Sequence, residues 1–309
     1  MNEKNLTSIT EIHLLGFQTS PNITVGLFVL VFTMFCVTII GNLLIIVLVS
    51  QSRNLHSPMY FFLTQLSISD ILLTIDIVPN MLHVILNKVG TMSLDGCLTQ
   101  LFFFGVSECL ECLLLMVMSY DRYLAICHPL HYTSSMSHLR CLKLIIVTWI
   151  LSFSVTFIET LPTSQLVFCG PNVIDHFFCD LSPIWDLSCS DTFFIQMEVT
   201  TLGIPVVISP FIVITVSYVY IFFTILKMQS ITGRQKAFST CSSHLVVVFI
   251  YYGAIICLYI FPNQGQSSTV RKVPSVLYTV VTPMLNPMIY SLRNKDIKEA
   301  LRKLIHLSL

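Results

Sequence analysis

Apolar residues run along this chain in long blocks broken by short polar stretches, and each block is long enough to cross a bilayer as a helix, which takes about 20 residues. Seven such blocks fall at roughly 24–50, 58–80, 97–127, 141–161, 196–226, 238–261 and 273–292. Residues 1–23 before them are polar and mixed. In the last stretch, 293–309, Ile297, Ala300, Leu301, Leu304 and Ile305 recur at helical spacing with Lys298, Arg302 and Lys303 opposite. That pattern predicts a helix lying on the membrane surface. The fold class expected is an all-α membrane protein, a bundle of seven transmembrane helices with a short amphipathic eighth.

Composition excludes an ordinary soluble domain: 54% of residues are hydrophobic and 10% charged, with a mean hydropathy of +0.81. The polar start contains Glu3, Lys4 and Glu11 and no basic-then-apolar leader, so the first span is expected to act as an uncleaved anchor. Acids and bases balance at 16 each, so net charge is silent about partners and nucleic acid is not among those expected. Distribution fixes the orientation. With the N-terminus outside, Arg53, Arg122, Arg140, Lys143, Lys227, Arg234, Lys236, Arg293, Lys295, Lys298, Arg302 and Lys303 face the cytoplasm, leaving only Lys4, Lys88, Arg271 and Lys272 outside. The opposite orientation violates the positive-inside rule.

Ionisable residues within the spans mark function, because they are costly there. Asp70 lies midway along span two. In span three Phe104, Glu108, Glu111, Cys112 and Leu115 share one helical face, which must point into the bundle. Asp70 and Glu111 become expected neighbours. At the end of span three the adjacent Asp121 and Arg122 can neutralise each other, either as a plain interfacial anchor or as a pair closed in one state and open in another. In span seven Pro287 breaks the backbone pattern, and the amide of Asn286 is expected to satisfy a freed carbonyl. Span six has no proline, so Gly253 is its candidate bending point. Four cysteines, Cys97, Cys169, Cys179 and Cys189, are predicted to face the oxidising exterior, where three pairings are open. A metal site at His176 beside Cys179 is disfavoured, since a bridge would consume the thiolate. Asn5-Leu-Thr and Asn22-Ile-Thr are glycosylation acceptors, with Asn5 better placed away from the membrane.

Several stretches resemble the odorant receptors, within the rhodopsin-like G-protein-coupled receptors. They are Leu55-His-Ser-Pro-Met-Tyr-Phe-Phe-Leu63, Met118-Ser-Tyr-Asp-Arg-Tyr-Leu-Ala-Ile-Cys-His-Pro-Leu-His-Tyr132, Lys236-Ala-Phe-Ser-Thr-Cys-Ser-Ser-His-Leu245 and Pro283-Met-Leu-Asn-Pro-Met-Ile-Tyr-Ser-Leu-Arg-Asn294. The likeness extends over nearly the whole chain. It implies a receptor, not an enzyme, that binds a small volatile odorant and activates a stimulatory olfactory-type heterotrimeric G protein to raise cyclic AMP. The location implied is the plasma membrane, with olfactory sensory neuron cilia the expected site. Disulfides Cys97–Cys179 and Cys169–Cys189 follow from the resemblance, as does a structural sodium ion between Asp70 and Glu111. No other cofactor is expected. Trp149 matches the family's packing tryptophan.

The pocket expected between helices three, five, six and seven comprises Gly105, Glu108, Cys109, Cys112, Val206, Val207, Tyr252, Ile255, Tyr259 and Tyr278, with Ile256 on the same wall. The activation switch expected is Asp121, Arg122, Tyr218, Asn286, Pro287 and Tyr290. Glu108 is not part of the general family pattern. Ionised it favours a cationic odorant; protonated, which burial favours, it donates to an alcohol, ketone or ester. Phe104 stands where amine receptors carry their anchoring Asp. A transporter also needs midplane acids and broken helices, but the halves of this chain show no repeat. An intramembrane enzyme needs converging catalytic groups, and His244 with the span-three acids is no such constellation.

Overall fold

The computed structural model describes residues 9–169, 171–260, 268–293 and 295–308; Asn5 lies outside them, and so does the side chain of Tyr259. Span one is Pro21–Gln51, span two Pro58–Asn87, span three Leu94–Cys127, span four His138–Ser164, span five Phe193–Lys227 and span six Ile231–Ile260. Pro21 and Pro58 occupy first helical positions, where a missing N–H costs little. Most helices outrun the apolar blocks that predicted them, because backbone hydrogen bonding continues beyond hydrocarbon thickness.

The bundle is inverted relative to a soluble protein. Ile40, Phe222 and Phe249 stand more than half exposed on its outer faces, whereas Asn42, Asp70, Ser119, Asp121 and Ser152 are sealed inside. Span three runs through the middle, with apolar residues such as Leu110, Leu114 and Leu115 fully buried on several sides. Trp149 ties span four to span two, its indole N–H donating to Gln65 Oε1 at 3.0 Å, in keeping with a packing role.

Span seven departs from a single kinked helix. It comprises a helix Ser268–Val276, a π-helical turn Leu277–Val281 and a second helix Thr282–Arg293. Threonine hydroxyls back-bond across the break: Thr279 to the Ser275 carbonyl at 2.7 Å and Thr282 to that of Leu277 at 3.0 Å. The carbonyl that Pro287 leaves without a donor is that of Pro283. Its donor is the side-chain amide of Asn42 in span one, at 3.2 Å, not Asn286 as expected. The approach is close enough that a Cβ on Gly41 would lie 3.1 Å from Pro287.

The eighth helix spans Lys295–Ser308. Ile297 and Ala300 are buried while Lys298, Arg302 and Lys303 face outward. Tyr60 of span two donates to Asp296 at 3.0 Å and fastens its start.

One end of the bundle carries a small sheet that the all-α expectation omitted. Strands β1 (Glu11–Leu15), β2 (Val89–Ser93) and β3 (Val173–Ile174) lie in the order β2-β1-β3, antiparallel then parallel. Ile12 and Leu14 alternate inward from β1 and are buried. Both expected disulfides form: Cys97 with Cys179, Cα atoms 5.5 Å apart, and Cys169 with Cys189, 5.8 Å apart. The first fastens the long loop to span three. The second closes the loop on itself.

Candidate ligand site and switch

Glu108 lies where span three meets span six beneath the sheet. The Tyr251 hydroxyl donates towards it, 3.1 Å from its carbonyl oxygen and 3.3 Å from Oε2, and lies 3.0 Å from Cys112 Sγ. Glu108 Oε1 and the Tyr252 hydroxyl are buried without a hydrogen-bond partner. Tyr252 packs on Phe211, ring centroids 4.9 Å apart. Val206 and Val207 are half-buried on span five, Val207 packing on the central cluster together with Ile255. Tyr278, in the π-turn, is buried with its ring 6.0 Å from that of Phe104.

Not every expected pocket residue converges here. Gly105 faces span four: a Cβ there would lie 2.7 Å from Thr156 Cγ2, so the missing side chain is required by helix packing. Cys109 faces the same way, beside Ser152 of span four. Ile256 is 43% exposed on the outer face, which removes it from the cavity wall.

A lid of loop and N-terminal residues closes this end. Phe177 and Phe178 are fully buried, Phe178 meeting Phe104 edge-on at 5.1 Å. Gln100 joins three elements, its amide donating to the Asp76 carbonyl at 2.9 Å while its oxygen accepts from the Cys179 N–H at 3.0 Å. Lys272, buried at the start of span seven, donates to the carbonyls of Leu15 and Gly16 at 3.1 Å each and to Asp175 Oδ1 at 2.6 Å. Asp180 caps the short helix Leu181–Trp185 by accepting from the Leu181 N–H at 2.8 Å. Burial raises its carboxyl above the usual carboxylate range, and the Leu181 N–H draws it partly back. Lys272 went unnoticed in the sequence because its value lies in three carbonyl and carboxylate oxygens brought from distant segments.

Midway along the bundle Asn286 gathers the two expected acids. Its amide lies 3.1 Å from both oxygens of Asp70 and 3.4 Å from Glu111 Oε1, while its own Oδ1 is buried without a partner. The two carboxylates are hard oxygen donors of the kind a small cation takes, while Asn286 meets them through its N–H groups rather than its oxygen. Among the described residues no cluster of three or more His, Cys, Asp or Glu is found.

At the opposite end Arg122 donates to Asp121 Oδ2 through Nε at 3.0 Å and through Nη2 as well. Asp121 is fully buried, and Tyr132 donates to its other oxygen at 2.8 Å. Burial first, then the Asp121 charge, pushes the Tyr132 hydroxyl up, so it stays a donor at neutral pH. The Tyr218 hydroxyl lies 2.8 Å from His244 Nδ1. Tyr290 is buried and Tyr218 half-buried, both close to Arg122. Tyr132 and His244 thus join the expected switch. Both stand in stretches read as signatures, and a polar ring within an apolar block was the available signal for His244. Between spans five and six a groove of about 480 Å³, lined by Ile214, Tyr218, Phe222, Cys241 and Leu245 among others, opens outward beside this pair.

A family model described as "Olfactory receptor" matches residues 31–307. Among similar curated proteins, rat olfactory receptor 1468 is 44% identical over 305 residues, covering 99% of this chain and 97% of its own. Human olfactory receptor 11L1 is 45% identical, covering 99% and 95%. Mouse olfactory receptor 1J21 is 46% identical over 303 residues, covering 98% and 97%. With matches of that extent along a helical bundle of this design, the chain belongs to the olfactory receptor family, multi-pass membrane receptors that are not enzymes.

Proposed function

We propose that this receptor binds a small volatile odorant within the bundle and activates a stimulatory olfactory-type heterotrimeric G protein, raising cyclic AMP in olfactory sensory neuron cilia. The N-terminus and the sheet lie outside and the Arg122 end faces the cytoplasm, which accords with twelve of the 16 basic residues falling on that side. Asn5 carries the glycan on that outer segment. Ligand enters beneath the lid and meets Glu108, Cys112, Tyr252, Ile255, Tyr259 and Tyr278, with Val206 and Val207 opposite. Gly105 and Cys109 act by setting how closely span four approaches span three.

The observation that carries the reading is the Asp121–Arg122–Tyr132 clamp. A buried carboxylate is held by two donors, one of them a guanidinium that a partner surface can compete for. Ligand shifts the bundle toward the arrangement its G protein binds better. Tyr218, His244, Asn286, Pro287 and Tyr290 transmit the shift. A sodium ion, held by oxygens of Asp70 and Glu111, would supply counter-charge at the midplane in the resting arrangement. The test is odorant-driven nucleotide exchange on added olfactory-type G protein by receptor reconstituted in lipid. Arg122→Ala is expected to abolish it while surface folding persists. Unchanged exchange in the folded variant would discard the switch.

A further inference from the structure

We infer that the ligand is a small aliphatic amine, held as its ammonium ion by Glu108 against the rings of Tyr251, Tyr252 and Phe211. The inference rests on the receptor reading for the meaning of the site, but its geometry is independent of any G protein.

Glu108 has a spare acceptor: Oε2 takes the Tyr251 hydroxyl, and Oε1 is buried with no partner. A second buried group beside it is also unspent. Tyr252 is 3% exposed, and its hydroxyl makes no hydrogen bond among the described residues. Unpaired buried polar atoms are rare in folded proteins and ask for a ligand that completes them.

Charge decides which ligand. The ionisable neighbours that bear on Glu108 are Glu111, Asp180 and Asp70, all acids. Of the described lysines at this end, Lys272 has its three donors spent on Leu15, Gly16 and Asp175, and Lys88 is exposed at the end of span two. A lone carboxylate in this setting is costly, so the empty site keeps its proton. An amine arriving as free base takes that proton: an N–H bond forms, the O–H bond breaks, and its electron pair stays on the carboxylate. The product is an ion pair whose ammonium donates to Oε1. Aromatic rings cluster beside the acid, Tyr251 and Tyr252 edge-to-face at 5.3 Å and Phe211 4.9 Å from Tyr252, surroundings that favour a cation over a neutral group. An alcohol of equal length gains only a hydrogen bond, and a carboxylic acid adds repulsion.

Thermal-shift titration of the purified full-length receptor in lipid nanodiscs, with hexylamine, hexanol and hexanoic acid as probes, tests this. Hexylamine is expected to bind about tenfold tighter than hexanol, and Glu108→Gln to erase about that tenfold preference. Tyr252→Phe should weaken the amine about threefold, a second check if the glutamine variant folds poorly. Equal affinity for amine and alcohol, retention of the amine by folded Glu108→Gln, or no binding by any probe would overturn the inference. G-protein exchange is read separately: amine binding without exchange counts against the receptor reading alone, and exchange driven only by neutral volatiles counts against the amine alone.

Discussion

The Tyr218 hydroxyl lies 2.8 Å from His244 Nδ1 and joins span five to span six inside the bundle. Among the described residues His244 Nε2 makes no side-chain hydrogen bond, so the Tyr218 hydroxyl is the side-chain partner that orients the ring. Tyr218→Phe and His244→Ala should each destabilise the receptor, with a coupling between them of about 1 kcal/mol. A double-mutant cycle on thermal midpoints checks it. Strictly additive effects would mean that the two side chains act separately.

Tyr132 gives Asp121 its second donor, and removing it leaves a fully buried carboxylate oxygen unpaired. That costs about 1–3 kcal/mol. Because the cost falls on the closed clamp, Tyr132→Phe is expected to raise ligand-free nucleotide exchange roughly fivefold or more, a change equivalent to about 1 kcal/mol or more. Exchange at the wild-type rate would show that the Tyr132 bond does not restrain the switch.

Lys272 draws three segments together: β1, the long loop and span seven. Asp175 is 43% exposed, so its ion pair is discounted for solvent, and the two carbonyl bonds made by a buried ammonium carry most of the effect. Lys272→Met should therefore cost about 1–3 kcal/mol and speed hydrogen exchange in Glu11–Gly16. Protection of β1 equal to wild type would mean that sheet pairing alone holds the strand.

These contacts show where sequence reading stops. Helix positions were legible because long apolar blocks have one physical solution in lipid. Inward acids were legible because lipid forbids them elsewhere, and Asp70 and Glu111 do meet, through Asn286. The small sheet was not, since β1 offers only Ile12 and Leu14 in alternation and β3 is two residues long. Nor were donors that cross the bundle. Asn286 stands beside Pro287 in the chain and was the natural donor to the freed carbonyl, yet its amide is spent on the acids. Local spacing also could not separate Gly105 and Cys109, which face span four, from Glu108, which faces span six.

Asn42 supplies the hydrogen bond that Pro287 removes, donating to the Pro283 carbonyl at 3.2 Å from a fully buried position. Asn42→Leu would leave that carbonyl in an apolar interior with neither backbone nor water to replace the bond. The expected loss is about 1–3 kcal/mol, read as a lower thermal midpoint. A wild-type midpoint for Asn42→Leu would show that span seven relaxes enough to satisfy the carbonyl itself.

Asp180 tests the lid through pH. Burial raises its carboxyl above the ordinary 3.8, so the folded lid binds the proton more tightly than the unfolded chain does. The sign follows: the ionised carboxyl is a penalty at neutral pH, relieved as pH falls through the raised folded value and fully relieved below the unfolded one. Asp180→Asn keeps an oxygen to accept from the Leu181 N–H and carries no charge. The variant should then match or exceed wild type in stability at about pH 7, and its advantage should shrink as pH falls toward about 4. Thermal midpoints of the two proteins, measured side by side across that range, make the comparison, since carboxylates remote from Asp180 titrate equally in both. An advantage that grew on acidification would mean that the ionised carboxylate is stabilised by the Leu181 N–H more than burial opposes it.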